Sequence, residues 1–349
     1  MISCAKIVHR TKEKYVMGPY AFLQDETPVF LAPMSGVTDA PFRKQVMKYG
    51  AEVTITEMVA GEELLNGSKS ASTRLVNESL SGAHVVQLVG REERALKYGA
   101  ERARDAGAHV IDINMGCPSR RVTGGLSGSA LMRDLDKAER LIHAVLKGAE
   151  GIPVTLKMRL GWDWDSINAS ELAVRAENSG IQLVTVHGRT RQDFYEGKAN
   201  WAAIADVVNA VSIPVIANGD IVDLQSAELA LDQSKAAGVM VGRAATGKAW
   251  LVPWLQARLN GREYALPSMK RQIESLIEQA EDSVSLYGER TGMRVVRKHL
   301  SEAVSHWAGS CNSQLISQGL RQALLRSESV SALSNALFRI EDSLMEVAA

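Results

Sequence analysis

The chain has 349 residues, of which 46% are hydrophobic and 23% are charged, and its 40 basic and 40 acidic side chains give a formal net charge of zero. This composition excludes a disordered or fibrous protein. Zero net charge excludes attraction to nucleic acid by a global field and leaves only a local basic patch for that purpose. Three cysteines without a C-x-x-C pair argue against a disulfide framework or a metal site, and they favour a reducing cytoplasm.

The amino-terminal stretch MISCAKIVHRTKEKYV is basic but has no apolar core, so it does not have the pattern of a secretion signal. Met17 looks like a more natural start, and we expect the 16 residues before it to be a loose extension or the product of a misplaced start codon. Residues 1–28 are therefore assigned to an extension and lead-in. No apolar run reaches the roughly 20 residues needed to cross a bilayer, so no membrane association is expected.

Eight short apolar runs rich in β-branched residues follow one another between residues 29 and 243. Runs of this length that are apolar nearly throughout are typical of parallel strands buried on both faces. The runs are VFLAPMSG (29–36), EVTITEM (52–58), HVVQLVG (84–90), HVIDINMG (109–116), PVTLKMRLG (153–161), LVTVHGRT (183–190), PVIANGD (214–220) and GVMVGR (238–243).

Segments with helical spacing separate most of these runs, at 91–107, 134–150, 200–211 and 223–234. Eight β-then-α units in about 230 residues predict an α/β fold, a (β/α)8 TIM barrel over residues 29–260. A doubly wound open sheet is the alternative, but it usually stops at five or six strands. No G-x-G-x-x-G fingerprint follows the first strand either.

Residues 268–349 contain no strand pattern, and we expect them to form a separate, all-helical domain. Apolar side chains recur at helical spacing along two segments of it. They are Met269, Ile273, Leu276, Ile277, Ala280 and Val284 in the first segment, and Met293, Val296, Leu300, Val304 and Trp307 in the second.

Polar or special residues stand where each of the eight predicted strands ends. Catalytic groups of barrel enzymes lie at the carboxyl ends of the strands, and polar residues in buried strands are costly unless they are used or satisfied. In chain order they are Pro33-Met34-Ser35-Gly36, Glu57, Gln87, Asp112 with Asn114 and Cys117, Lys157 with Arg159, His187 with Arg189, Asn218-Gly219-Asp220, and Gly242-Arg243.

Gly219 and Gly242 follow the last two strands, where barrels often hold a phosphate on backbone N–H groups. Either glycine alone is explained by a tight turn, but the pair beside Arg243 favours a phosphorylated cofactor or substrate. Gln87 can both donate to and accept from the polar edge of a planar ring. Lys157 offers a positive charge suited to an anionic reduced flavin, although it is equally suited to pair with an acidic neighbour, Glu57 or Asp112.

Cys117 lies between Gly116 and Pro118 in the stretch DINMGCPSRRV. A residue before proline is driven into an extended conformation, so its thiol should project from the strand end. A thiol with the ordinary pKa of about 8.5 is mostly protonated at neutral pH and can donate a proton. A lone cysteine is more often a small buried apolar residue, but this setting favours a catalytic role.

The sequence resembles the tRNA-dihydrouridine synthases, and most closely their bacterial B-type subgroup. The resemblance extends from about Met17 to the end of the chain. It is carried by LAPMSGVTDAPFR, VVQLVG, IDINMGCPSRRV, GSALM, VTLKMRLGW, VHGRTR, IPVIANGD and VGRAA, in that order, and by RVVRKHLSEAV in the helical region.

The resemblance implies a barrel that holds FMN, which NADPH (or NADH) reduces. Pro33, Met34 and Ser35 would then lie along the isoalloxazine, with Gln87 and Lys157 at its polar edge. The ribityl phosphate or its approach would be enclosed by His187, Asn218, Gly219, Asp220, Gly242 and Arg243.

It further implies reduction of the C5=C6 bond of specific uridines in tRNA. Hydride from flavin N5 would go to C6, and Cys117 would protonate C5. Asn114, Tyr195 and Arg159 would contact the uridine. Arg294, Arg297 and Lys298, which face away from the apolar stripe at i, i+3 and i+4, would contact tRNA phosphates, although such clusters are usually plain solvated surface. A cytoplasmic monomer is the expected state.

Two other functions remain open from the residues. The first is an FMN barrel reductase for a small molecule, similar to dihydroorotate dehydrogenase, which would not need some 80 helical residues after the barrel. The second is a non-catalytic RNA-binding protein on a disused barrel. A yellow protein that NADPH bleaches would exclude the second.

Overall fold

The computed structural model describes residue 20 and the ranges 26–76, 82–310 and 318–345. The extension proposed before Met17 and most of the lead-in therefore lie outside the described residues, as do Cys4 and Cys311. Tyr20 is buried against Phe30, with their ring centroids 5.0 Å apart.

Eight parallel strands close into a barrel, because the first barrel strand pairs with the last and every other neighbour pairs in turn. A short ninth strand, β3 (Val59–Ala60), extends the barrel beside β4. The predicted (β/α)8 barrel is confirmed. The barrel strands are β1 Val29–Leu31, β2 Val53–Ile55, β4 Ala83–Val89, β5 Val110–Met115, β6 Val154–Arg159, β7 Val184–His187, β8 Val215–Asn218 and β9 Gly238–Val241.

Side chains of each strand alternate between the barrel interior and the layer under the helices. Phe30 packs with the interior cluster, whereas its neighbours Val29 and Leu31 pack in the layer beneath the outer helices. The inward series is apolar where the strands begin and polar where they end: in β4, Val85 is followed two residues later by Gln87. The inward-facing polar side chains therefore lie together at one end of a closed barrel whose interior is otherwise apolar.

Helices of the outer layer bury their apolar faces on the strands, and the four predicted helical segments are confirmed. The helices up to the end of the barrel are α1 Ala40–Lys48, α2 Gly61–Leu65, α3 Lys69–Thr73, α4 Glu93–Asp105, α5 Arg120–Thr123, α6 Leu135–Ala149, α7 Ala169–Ser179, α8 Ile204–Ala210, α9 Leu224–Ser234 and α10 Leu251–Leu259. Within the described part of the barrel, Gly128–Arg133 and Arg243–Ala245 form 3-10 helices.

Four further helices follow the barrel: α11 Met269–Tyr287, α12 Glu289–Ser310, α13 Gln318–Arg326 and α14 Val330–Met345. They share a hydrophobic core of their own, which contains both predicted apolar stripes. None of the helices in the described ranges is both long and apolar enough to span a bilayer.

The helical segment packs on the barrel through α11 and α1. Ser275 donates a buried hydrogen bond of 2.9 Å to the side-chain oxygen of Gln45, and Lys44 pairs with Asp282 at 2.8 Å. The exact division into a barrel domain at 29–260 and a helical domain at 268–349 stays a prediction.

Candidate active site

The polar side chains predicted at the strand ends meet at one mouth of the barrel. Strand register places them side by side, because residues paired across neighbouring parallel strands lie next to each other. The register pairs are Gln87 with Asp112, Asn114 with Lys157, Arg159 with His187, and His187 with Asn218.

Cys117 is a free, half-buried thiol, and it is the one cysteine within the described ranges. Its backbone N–H donates to Oδ1 of Asn114 at 2.9 Å, and the N–H of Gly116 donates to the same oxygen at 3.1 Å. On the other side, the hydroxyl of Ser129 donates to the carbonyl oxygen of Cys117 at 2.8 Å. The turn that presents the thiol is therefore held from both ends.

Burial raises the pKa of the Cys117 thiol above its ordinary value, more than a hydrogen bond from the backbone of Ser119 and the charges of Arg159 and Lys157 lower it. A raised pKa keeps the sulfur protonated at neutral pH. The environment is thus that of a proton donor, not of an activated thiolate nucleophile.

A chain of side-chain amides connects Cys117 to a buried carboxylate. Asn114 donates from Nδ2 to Oε1 of Gln87 at 2.8 Å, and Gln87 donates from Nε2 to Oδ2 of Asp112 at 2.7 Å. Thr155 donates to the other oxygen of Asp112 at 2.6 Å. The sequence analysis named Asp112 as a polar strand residue and as a candidate partner of Lys157, not as part of this chain. The signal for its role here is that it lies two residues before Asn114, on the same face of β5.

Lys157 is buried and donates from Nζ to Oδ1 of Asn218 at 2.9 Å. Asn218 in turn donates to the carbonyl oxygen of Met240 at 2.9 Å, which fixes its amide. Burial, and next the charge of Arg159, lower the pKa of Lys157 to about 8. The proposed pairing with Glu57 or Asp112 is replaced by a hydrogen bond to Asn218, with Asp112 acting only at a distance.

Arg159 is 1% exposed and lies directly behind the Cys117 turn. It donates from Nε to the carbonyl oxygen of Gly116 at 2.8 Å and from Nη1 to that of Thr190 at 2.7 Å. Its guanidinium carbon is 5.5 Å from the ring centroid of Tyr195, and that of Arg243 is 5.3 Å from the same ring. Two arginines therefore fix Tyr195, which is 53% exposed at the mouth.

The residues proposed to surround a phosphate lie together at the ends of β7, β8 and β9. Gly219 has φ +113°, and a Cβ there would lie 2.8 Å from Cδ2 of His187, so this glycine is required by both conformation and space. Burial, and then the surrounding positive charges, lower the pKa of His187 well below its usual value, so the ring is neutral. Arg189 can only donate, and its Nη1 is 3.2 Å from Nε2 of His187, which makes Nε2 the acceptor.

Asp220 has internal partners that the sequence did not indicate. Its Oδ2 accepts from the N–H of Ala199 and from Nη2 of Arg189, each at 2.7 Å. Arg243 lies 3.7 Å from its other oxygen. Because a carboxylate repels a phosphate, we assign Asp220 to holding Arg189 and Arg243 in place; Arg189 is buried and bonded internally, so the exposed Arg243 is the group able to face an anion.

The loop after β1 carries Pro33 and Met34, both half-buried, and the exposed Ser35. The N–H groups of Val37 and Thr38 donate to the carbonyl oxygen of Met34 at 3.0 and 2.9 Å. Glu57, from the neighbouring strand end, accepts from the N–H of Gly36. The loop is thus a closed turn fixed to the end of β2.

These residues fit FMN on two observations. Lys157 is a buried ammonium that donates to Asn218 alone among the described residues, which leaves two N–H groups for the polar edge of a ring. At Gly242, an added Cβ would lie 3.8 Å from the sulfur of Met34 and 4.0 Å from Cβ of Ala32, both ordinary van der Waals distances, so the turn before Arg243 packs against the loop after β1. A buried ring donor and a glycine turn beside an arginine suit the polar ring edge and the phosphate of a flavin mononucleotide.

The three basic residues predicted on α12 do not share one environment. Arg294 is exposed, whereas Arg297 is half-buried and its Nε is buried without a hydrogen-bond partner among the described residues. Lys298 donates from Nζ to the carbonyl oxygen of Gly36 at 3.2 Å, so it lies against the loop after β1. Their proposed contact with tRNA stays a prediction.

Comparison with known proteins agrees with this geometry. The family model described as dihydrouridine synthase (Dus) matches residues 30–337. A probable tRNA-dihydrouridine synthase of Rhodobacter capsulatus is 51% identical over 280 residues, which cover 80% of this chain and 86% of that protein. The tRNA-dihydrouridine synthase B of Pseudomonas aeruginosa is 38% identical over 285 residues, covering 81% and 85%.

Among solved structures, histamine dehydrogenase from Rhizobium sp. 4-9 superposes with a TM-score of 0.52 at 11% identity, covering 91% of this chain and 62% of that one. At that identity the likeness concerns the fold alone. The family match spans most of the chain, and the two relatives are 51% and 38% identical over 86% and 85% of their own lengths. The chain therefore belongs to the dihydrouridine synthase family.

Proposed function

We propose that this protein is a tRNA-dihydrouridine synthase, an FMN-dependent oxidoreductase that reduces the C5=C6 bond of uridines in tRNA. The observation that carries the proposal is a protonated thiol, Cys117, held at the mouth of a barrel next to a buried ammonium, Lys157. Family membership supports the reaction and the substrate class.

Within this proposal, bound FMN supplies the hydride that adds to C6 of the uracil ring, with NADPH as the source of the electron pair. Cys117 supplies the second hydrogen, a proton to C5, as charge develops there. Asn114 aims the thiol by holding the backbone of its turn. Because C5 and C6 are conjugated with a carbonyl, the thiol need only be a weak acid.

Arg159 and Tyr195 form the proposed uridine contact. The Nε and Nη1 atoms of Arg159 are engaged by backbone carbonyls, and its remaining nitrogen, Nη2, keeps two N–H groups that no described residue accepts. Donors fixed before substrate arrives need no reorganisation when charge develops on a uracil carbonyl. Tyr195, whose ring contacts the guanidinium groups of Arg159 and Arg243, is exposed at the mouth.

The reductant, the partner and the compartment belong to the same proposal. We propose NADPH or NADH as the reductant, tRNA as the macromolecular substrate, and the cytoplasm as the place of action of a monomer. Comparing initial rates with NADPH and NADH at equal concentration tests the reductant, and the oligomeric state is read by light scattering.

The test is reduction of an unmodified tRNA transcript by the purified protein with FMN and NADPH, followed by nucleoside mass spectrometry. Dihydrouridine should appear with the wild-type chain. A protein that takes up FMN and oxidises NADPH but leaves every transcript unchanged would instead favour a small-molecule reductase. A colourless protein that cannot bind FMN would favour a non-catalytic RNA-binding role.

A further inference from the structure

One side chain of the helical segment, His299 on α12, contacts both loops that carry the proposed flavin contacts. Its ring is fully buried. Nε2 lies 3.2 Å from the carbonyl oxygen of Val37, in the loop after β1. Nδ1 accepts from the N–H of Gly247, in the segment after β9, at 3.3 Å. The imidazole thus bridges two loops that are more than 200 residues apart in the sequence.

The ring can make both contacts only when it is neutral. Burial lowers the pKa of His299 to about 4, so the neutral form is present throughout the physiological range. A neutral imidazole has one donor and one acceptor; Nε2–H faces the carbonyl of Val37 and bare Nδ1 faces the N–H of Gly247. Phe42 packs on the ring, with centroids 4.3 Å apart, and fixes its plane.

These contacts form a continuous series that connects the two loops beside the proposed cofactor site. Val37 is hydrogen-bonded to the carbonyl of Met34, the residue proposed to lie along the isoalloxazine. The sulfur of Met34 is 3.8 Å from the position that a Cβ on Gly242 would take. From Gly242 the chain runs through the 3-10 helix Arg243–Ala245 and returns to the ring at Gly247. Both walls of the site are therefore fixed to one side chain.

Gly247 shows how closely the barrel and α12 approach each other at this point. It has φ +70°, and a Cβ on it would lie 2.4 Å from the carbonyl oxygen of His299 and 2.6 Å from the N–H nitrogen of Ala303. Only glycine allows both that conformation and that approach. The contact is thus a tight, fixed junction of the helical segment with the phosphate side of the mouth.

We propose that His299 is a positioning residue of the cofactor site, which holds the Met34 loop and the Gly242–Arg243 turn at the separation that FMN requires. The inference rests on the proposed function, because FMN is its ligand. It assigns the helical segment a second task besides RNA contact: the barrel needs α12 to complete its flavin site.

The test compares FMN dissociation constants of whole-chain variants, measured by quenching of flavin fluorescence without RNA or NADPH. His299→Phe keeps a ring on Phe42 but removes both hydrogen bonds, and it should weaken FMN binding roughly tenfold. His299→Gln keeps a donor for Val37 and should fall between the wild type and the phenylalanine variant. The flavin absorbance bands should shift in the same order.

Ser275→Ala is the matched control, because it removes a buried hydrogen bond between the same two parts of the chain, to Gln45, without touching a cofactor loop. It should lower thermal stability but leave FMN affinity unchanged. Equal affinity of His299→Phe and wild type, or equal weakening by His299→Phe and Ser275→Ala, overturns the inference. Should His299→Phe not fold, His299→Gln undergoes the same comparison, with the same refuting outcomes. A wild-type chain that binds no FMN overturns the proposed function, and this inference with it.

Discussion

Replacement of Cys117 by alanine tests the proposed proton donor. General acid catalysis contributes about a hundredfold to ten-thousandfold to a rate. Cys117 is only half-buried, so water can partly replace the missing thiol, and we expect the middle of that range. A loss of about a thousandfold corresponds to about 4 kcal/mol of transition-state stabilisation.

The assay is single-turnover formation of dihydrouridine in a tRNA transcript, with FMN affinity and NADPH oxidation measured on the same preparations. Those two properties should change by less than about twofold, since the hydrogen bonds that hold the Cys117 turn are made by its backbone N–H and carbonyl, which alanine keeps. Cys117→Ser is the companion variant; a hydroxyl is a far weaker acid than a thiol, so it should be almost as slow as alanine despite its similar shape.

The pH dependence gives an independent check. The active form is the protonated thiol, whose pKa is raised by burial. The rate of dihydrouridine formation should therefore stay constant through neutral pH, and it should fall only when the pH rises through that raised pKa. A Cys117→Ala variant that turns over tRNA within about threefold of the wild-type rate would refute the reasoning. A wild-type rate that increases with pH as the thiolate forms would refute it as well.

Three further predictions concern the neighbours of the thiol and the helical core. Asn114→Ala should lower kcat about tenfold by releasing the Cys117 turn, as measured by steady-state kinetics. Lys157 has a pKa of about 8, so the affinity of the wild-type protein for FMN should fall between pH 7 and 9 as the ammonium loses its proton. The Lys157→Met variant should bind FMN more weakly, with an affinity that does not change over this pH range. Fluorescence titration of FMN measures both. Trp307→Ala should lower the free energy of unfolding by about 3–5 kcal/mol, measured by chemical denaturation, because the indole is 2% exposed in the helical core; a loss below about 1 kcal/mol contradicts that packing.

The barrel could be predicted because its signals are local. Each strand is buried on both faces, so its run of apolar residues is visible without knowledge of its neighbours. The position of the site followed from the same logic, since the carboxyl ends of parallel strands must meet at one rim. In β5, for example, the residues from Val110 to Asn114 already show an inward face that changes from apolar to polar.

Contacts between residues that lie far apart in the sequence could not be predicted in the same way. Arg189 and Asp220 are 31 positions apart, and only strand register brings them together. His299 and Lys298 contact a loop 262 positions away. Helical spacing placed Lys298 correctly on the face away from the apolar stripe, but spacing alone does not reveal that the barrel lies on that side.

The amide chain behind Cys117 has a fixed polarity, which the groups at both of its ends require. Because Asn114 must accept from two backbone N–H groups, its nitrogen must donate to Gln87, and Gln87 must then donate to Asp112. With an amide in place of Asp112, both neighbours could rotate by half a turn, and a nitrogen of Asn114 would then oppose the N–H of Cys117. The N–H groups of the Cys117 turn at one end and the acceptor oxygens of Asp112 at the other thus require the same orientation of the two amide side chains between them.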